Sequence, residues 1–591
     1  PTTRRVRLTP DALPTSYYDQ RSSAGPWNES DGFSTGGAIL TQFRGLTLEG
    51  LAASGVATST TIERSLEAVS PTVLLNVATG QRIAHWAELD ESTDNVEERA
   101  LIIRPAKALD HNTRYIVAIR DLQGVEVSEA FDALRIGERS SDPTVGPRRA
   151  LYRDIFEHLD DAGVGPKEEL QLAWDFTTAS QANITDWMLH MRDQSLALVG
   201  DAGPVYEIVS VEENPWPDED DIAYRIYGEM QVPLYLTTTQ PGALLIFDED
   251  SGRPMQNPAA PWAKFSFEIL IPDSARTEPA KLMQYGHGLL GEKEQIQSSH
   301  FRSWCNEYNY AIFGVDFVGM AADDEVYVGA VVSGGRFDDF STVVYRQHQG
   351  MLNSLLAMRM MIGGMSEDDE FGQYLDGSKA YYHGISQGGI FGGTYMALTT
   401  DVRRGALGVM GMPYNLLLNR SVDFDVFFDL IKTTYTDARD VQILLALAQQ
   451  LWDRVEPNGY AAHIMEDTFR DTPEHQVLMR GALGDHQVSA AGSHFMARTI
   501  GVHHVETGQG AIFGLDSTSQ PHTGSALVEY NFGLPPDPEG NLPQRECEDP
   551  HGKLRKLEAA RQQLDFFFRE GVVRNFCDDG KCDFEDMSGC P

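Results

Sequence analysis

Apolar residues along the 591-residue chain change their spacing twice. Residues 1 to about 60 show little periodicity and are rich in Gly, Ser, Thr and Pro, which predicts an extended arm lying over other structure. Short β-prone runs follow at 72–76, 100–103 and 115–120, separated by turn-forming clusters such as Ala78-Thr79-Gly80 and Asp110-His111-Asn112. Helical spacing interrupts them at 148–159, through Leu151, Ile155, Phe156 and Leu159, and again over 181–198. Strand-like runs return at 205–209, 223–236 and 265–271. A β-rich accessory region with helices is therefore expected over 61–260, with the acidic run Asp218 to Asp221 as a solvated loop.

From about residue 261 the pattern becomes strand, loop and helix in alternation, the habit of a parallel sheet covered by helices, so the fold class is α/β over 261–575. The central strands are expected at 281–285, 311–315, 380–383, 406–410 and 476–479. Between the last two lies an insertion, 421–462, with Phe424, Phe427, Phe428, Leu444, Leu445, Leu447 and Trp452. Over the carboxyl ends of such strands it would act as a helical lid, with Phe427 and Trp452 against substrate. The spacing of Leu444, Leu447, Ala448 and Leu451 equally fits a helix packed on the core. There is no internal repeat. Residues 576–591 form a separate tail.

Composition narrows the classes. The chain is 41% hydrophobic, enough for a large core and more than one domain. No stretch approaches the length of a transmembrane helix, and a start at Pro1 without a leader is expected of a processed chain. A formal net charge of −40 argues against nucleic acid or an anionic membrane as partner. It fits either salty or extracellular surroundings or a plain solubility surface. Four of the five cysteines, Cys547, Cys577, Cys582 and Cys590, fall near the C-terminus, which favours disulfides and a secreted or periplasmic location. Their spacing fits no familiar zinc ribbon. Short loops close most easily, so Cys577 with Cys582 and Cys547 with Cys590 are the expected pairs, leaving Cys305 free. The carboxylates around Cys577 and Cys582 make calcium conceivable, but their order is not that of an EF-hand and a solvated tail fits better. No other cofactor is expected.

The sharpest chemical signal is Gly384-Ile385-Ser386-Gln387-Gly388, between a strand-like segment and a helix-compatible one. Small neighbours let the chain turn sharply enough to present a serine hydroxyl at the top of a sheet. Such a serine needs a base, and the base an acid that fixes its tautomer. Asp485 follows a predicted strand and is the candidate acid. Among His494, His503, His504, His522 and His551, the last is preferred because Asp549-Pro550-His551-Gly552 precedes an amphipathic helix; His522 is the rival. Backbone N–H groups of Gln387 and of Leu289, in Gly286-His287-Gly288-Leu289-Leu290-Gly291, would hold a developing oxyanion. His287 and Gly288 are placed beside the substrate, and His287 also fits a buried residue that shapes its loop.

With these four motifs, spread over about half of the chain, the sequence resembles the α/β-hydrolase superfamily of serine esterases and lipases. More narrowly it resembles bacterial extracellular lipases of the virulence-factor type. The resemblance implies an α/β-hydrolase core with a lid, and 101–106 and 115–120 add a weaker likeness to an immunoglobulin-like N-terminal module. It further implies hydrolysis of a hydrophobic carboxylic ester, a polyester included, through an acyl-enzyme on Ser386, with Asp485 and His551. A serine peptidase or acyltransferase on the same fold is the enzymatic alternative, and a non-catalytic binding protein the other.

Overall fold

The computed structural model describes residues 4–218 and 221–590. Glu219 and Asp220 of the acidic run, the first three residues of the arm and the last residue of the tail lie outside the described residues.

One large sheet organises the molecule. In chain order its strands are β1 (Val205–Glu213), β2 (Ile222–Pro233), β3 (Trp262–Pro272), β4 (Ala280–Gly286), β5 (Tyr310–Val315) and β6 (Leu375–Ile385), then β7 (Arg404–Gly408), β8 (Gln476–Ala482), β9 (His503–Val505), β10 (Ser517–Thr518) and β11 (Ala526–Tyr530). They lie side by side as β10-β9-β11-β8-β7-β6-β4-β5-β3-β2-β1. The pairs β1–β2, β2–β3 and β3–β5 are antiparallel, and every pair from β5–β4 to β9–β10 is parallel.

Helices cover both faces: α1 (Gln181–Val199), α2 (Ser299–Tyr308), α3 (Glu325–Ser333), α4 (Phe340–Met360), α5 (Gln387–Leu398), α6 (Asp425–Thr434), α7 (Ala438–Trp452), α8 (Ala490–Ile500) and α9 (Glu558–Glu570). The strand period of two distributes the apolar side chains between them. Leu282, Phe313, Val477 and Met479 pack with α1, α4, α5, α7 and α8, whereas Met283, Ile312 and Leu478 pack with α2 and α9. Burial on both faces is why β4, β5, β7 and β8 read as mostly apolar runs without strict alternation.

The runs expected at 205–209 and 223–236 belong to this sheet and not to the accessory region. β2 pairs with β3 from Pro233↔Trp262 to Tyr224↔Ile271, an antiparallel ladder that reaches across the 260 boundary. A run-by-run reading shows where strands are, not which strands they join.

Upstream, two small sheets pack face to face. One orders Gln81–Arg82, Thr72–Asn76, Arg114–Arg120 and Leu170–Thr177; the other orders Ile39–Thr41, Leu101–Pro105 and His85–Leu89. Alternate residues of the first sheet, Leu74, Tyr115, Val117 and Ile119, meet Leu89, Leu101 and Ile103 of the second. The opposite set, Val73, Leu75, Ile116 and Ala118, is covered by Tyr152, Ile155 and Leu159 of the helix Val145–Asp161.

The first residues run over the rest of the chain. Trp27 is fully buried and its indole N–H donates to the Leu447 carbonyl of α7 at 2.8 Å, while the Tyr17 N–H donates to the Thr434 carbonyl at the end of α6 at 2.7 Å. At the other terminus, Cys547 pairs with Cys590 and Cys577 with Cys582, and Cys305 is a buried free thiol.

A buried ion cluster joins the small sheets to the base of the insertion. The Glu88 carboxylate accepts from Arg104 Nε at 2.7 Å, from Trp86 Nε1 at 3.2 Å and from Arg420 Nη2. All three charged side chains are almost wholly buried. Burial works against the charge on Glu88, but Arg420 and Arg104 outweigh it and hold the carboxyl below its ordinary range. Removing one member of such a cluster leaves uncompensated charge in a dry place. Glu88→Ala is therefore expected to lower the unfolding free energy by about 3–5 kcal/mol in urea titrations. A loss indistinguishable from that of a surface substitution would show that water reaches the two guanidinium groups.

Candidate active site

Ser386 sits where β6 passes into α5, with φ +61° and ψ −126°, a left-handed conformation that is strained for a side chain with a Cβ. The surroundings hold it there. The Ser386 N–H donates to the Gly408 carbonyl of β7 at 3.0 Å, and its carbonyl accepts from Ile390 N at 2.9 Å as the helix begins. The flanking glycines are required by contact. A Cβ at 384 would lie 2.0 Å from the Gly388 carbonyl oxygen, and a Cβ at 388 would lie 2.0 Å from that of Gly286. Tyr382 closes the arrangement, its hydroxyl donating to the Gly388 carbonyl at 2.7 Å.

Asp485 and His551 come together from β8 and from the loop before α9. His551 Nδ1 lies 2.8 and 2.9 Å from the two carboxylate oxygens of Asp485, and both side chains are buried. Oδ1 also accepts the backbone N–H groups of Gln487 at 2.8 Å and Val488 at 2.9 Å, so the turn after β8 fixes the acid. Asp549 steadies the histidine loop: it accepts from His551 N at 3.0 Å and from Gln487 Nε2 at 2.7 Å. Burial disfavours the imidazolium of His551, but the charge and hydrogen bond of Asp485, with the charge of Asp549, raise its pKa above the ordinary value.

Ser386 and His551 line one cleft of about 1050 Å³. Among the described residues the Ser386 hydroxyl has no hydrogen-bond partner, and Nε2 is the ring atom of His551 that Asp485 leaves unused. The cleft also receives Gly288, Leu289, Leu290 and Phe427. Gly291 N donates to the Gly288 carbonyl at 3.0 Å, a turn in which Leu290 takes φ +45°. The N–H groups of Leu289 and Gln387 have no acceptor among the described residues. The Gln387 side chain is turned away, donating to the Met320 carbonyl at 2.9 Å.

Two residues expected beside the substrate are elsewhere. His287 is fully buried, with Nδ1 on the Gly288 carbonyl at 2.8 Å and Nε2 accepting from Phe317 N at 2.8 Å, so both ring nitrogens serve the loop. Trp452 is buried against Phe340 and Tyr414, at ring separations of 4.7 and 4.5 Å. It borders a second cavity of about 60 Å³ lined by Met320, Val328, Phe337, Phe424 and other apolar side chains, and Phe427 borders both spaces. The rival His522 packs against His503 with ring centroids 4.6 Å apart and lines no part of the cleft.

Several lining residues carried no sequence signal. Asp423, Gln487, His300 and Arg555 all face the cleft. The Asp423 carboxyl is pushed up to about 6, first by burial and then by the charges of Asp485 and Asp549, against the pull of His551. Among the described residues no group of three or more His, Cys, Asp or Glu is arranged to hold a metal ion, and no helix is long and apolar enough to cross a membrane.

No family model matches the chain, and a search of curated proteins returns no match. Among solved structures it is similar to acetyl xylan esterase 1 from Thermoanaerobacterium sp. JW/SL YS485, at 12% identity over 58% of this chain and 87% of the other, with a TM-score of 0.33. It is also similar to an acylaminoacyl peptidase from Pyrococcus horikoshii, at 12% identity over 62% of this chain and 50% of the other, with a TM-score of 0.32.

Proposed function

We propose that the chain is a serine hydrolase of the α/β-hydrolase fold that cleaves carboxylic esters through an acyl-enzyme on Ser386. The observation that carries this reading is the His551–Asp485 pair opening onto the same cleft as a serine held at φ +61°. In the first half-reaction the Ser386 hydroxyl attacks the ester carbonyl and passes its proton to His551 Nε2. Asp485 holds the Nδ1–H and stabilises the imidazolium that forms. The N–H groups of Leu289 and Gln387 receive the oxyanion. His551 then gives its proton to the departing alcohol, and water repeats the cycle on the acyl-enzyme.

The finer features belong to the same proposal. The segment with α6 and α7 serves as a lid whose α6 half, through Phe427, shapes the acyl end of the cleft. The small sheets form an accessory module that ends before α1, the first helix packed on the central sheet. The two disulfides suit an oxidising, extracellular setting, as in the bacterial extracellular lipases that the sequence resembles.

Ser386→Ala and His551→Ala are each expected to lower kcat on p-nitrophenyl butyrate by about 10⁴-fold or more with melting temperature retained, while His522→Ala stays near wild type. A dead His522→Ala beside an active His551→Ala would overturn the assignment of the base.

The base must be neutral to accept a proton, and the pKa of His551 is raised. Activity should therefore fall with decreasing pH through a value above about 6.5, read from the acid limb of kcat/KM. Asp549→Asn removes a charge that favours the imidazolium and should move that limb to lower pH.

Phe427→Ala should join the cleft to the apolar cavity and shift preference toward longer acyl chains by about 1–3 kcal/mol in relative kcat/KM. Trp452→Ala should instead cost about 3–5 kcal/mol of stability, measured by denaturant unfolding. The reverse pattern would exchange the two roles.

A further inference from the structure

The cleft carries two cations that make no ion pair among the described residues. Arg555 and Lys556 lie in the short turn Leu554–Lys556, just after His551, and both line the cleft with Ser386. Neither side chain has an ion-pair or hydrogen-bond partner among the described residues, and Arg555 Nε is buried without one. The chain has 87 acidic residues against 47 basic ones, and the neighbouring Lys553, Arg561 and Arg569 are paired with Glu548, Glu307 and Asp565.

His300 faces the same part of the cleft, and its Nε2 is likewise buried and unpartnered. Burial, together with the charges of Arg555, Arg561 and Lys556, pushes its pKa down to about 4, so it stands there as a neutral imidazole. The acids of the cleft belong to other elements: Glu325 begins α3, and Asp423 precedes α6, which packs on α3. One wall is thus cationic with free donors, and the other is apolar and acidic.

The position of this wall relative to His551 selects the part of the substrate it meets. His551 protonates the departing oxygen, so the alcohol portion of an ester must lie on the side of the histidine loop, where Arg555 follows four residues later. A buried donor without an acceptor is costly in the free protein and is satisfied by a ligand that brings one. The planar guanidinium fork matches a carboxylate.

We propose that the preferred substrates are esters whose alcohol portion carries a carboxylate, received by Arg555 with Lys556 and His300 beside it. This rests on the hydrolase reading above and adds the chemical class of the leaving group. The local pair must act against the field of a chain with a net charge of −40, which an anionic substrate would otherwise avoid.

The test compares 4-carboxyphenyl butyrate with 4-carbamoylphenyl butyrate, each kcat/KM being divided by the rate of spontaneous hydrolysis. In the wild type the carboxylate ester should be favoured about tenfold, and Arg555→Gln should bring the ratio near one. Arg555→Lys should restore part of it, keeping the charge without the fork. Lys556→Gln, at an exposed side chain, should lower the ratio as well. A wild-type ratio at or below one with the neutral ester still turned over would overturn this inference and leave the hydrolase reading standing. If neither ester is hydrolysed, the hydrolase reading fails, and calorimetry with 4-hydroxybenzoate still decides the matter. Binding weakened about tenfold or more in Arg555→Gln supports the cationic subsite, and no binding to the wild type overturns it.

Discussion

The approach of three stretches of backbone at the carboxyl ends of β4 and β6 is the constraint on which the rest of the site depends. The carbonyls of Gly286 and Gly388 lie where side chains at 388 and 384 would have to be, so only hydrogen fits there. That closeness sets the start of α5 directly against the loop after β4. It fixes Ser386, the Gln387 N–H and the Leu289 N–H relative to one another, with the Tyr382 hydroxyl and the His287 ring holding the same backbone in place. A further glycine, Gly389, lets the first turn of α5 press on β7, where a Cβ would meet the Gly408 carbonyl oxygen at 2.5 Å. The serine's strain is borne by this packing and not by flexible contacts.

How legible all this was in the sequence depends on whether a feature is local. The apolar runs at 281–285, 311–315 and 476–479 announce buried parallel strands because both faces of each strand are covered. The elbow could be read because its glycines are forced by contacts within a few residues of each other. Asp485 and His551 could be placed by chain order and by the loops they occupy. Partnership could not be read. β1 and β2 look like any half-exposed antiparallel strands, and only their ladder to β3 assigns them to the central sheet. Trp452 and Phe427 are both aromatic residues of one insertion, yet helix rotation sends one into the core and leaves the other at the cleft. His287, beside the motif glycines, looked like a substrate contact until both of its nitrogens were found engaged.

Charge was the least legible property. A chain so rich in acid suggests a uniformly negative molecule. The interior does not fit that picture. Arg104 and Arg420 converge on Glu88 beneath the insertion, Arg346 is buried on Asp324, and Arg555 stands unpaired at the cleft. Each looks like an ordinary surface residue in one dimension, because burial and pairing are decided by the folded arrangement of segments, 332 positions apart for Glu88 and Arg420.

The arm's two anchors on the insertion have a mechanical consequence. With Trp27 bonded to the middle of α7 and Tyr17 to the last turn of α6, the insertion is clamped at its core-facing helix and at the turn between its helices. It cannot swing as a rigid flap while those bonds hold. The front of α6 is tied as well, through Val422 N on the His486 carbonyl at 3.0 Å and the Asp425–Arg545 ion pair at 2.7 Å. Any outward movement of the insertion as a body must first break the bonds of Tyr17 and Trp27, so this part of the arm and the insertion form one mechanical unit.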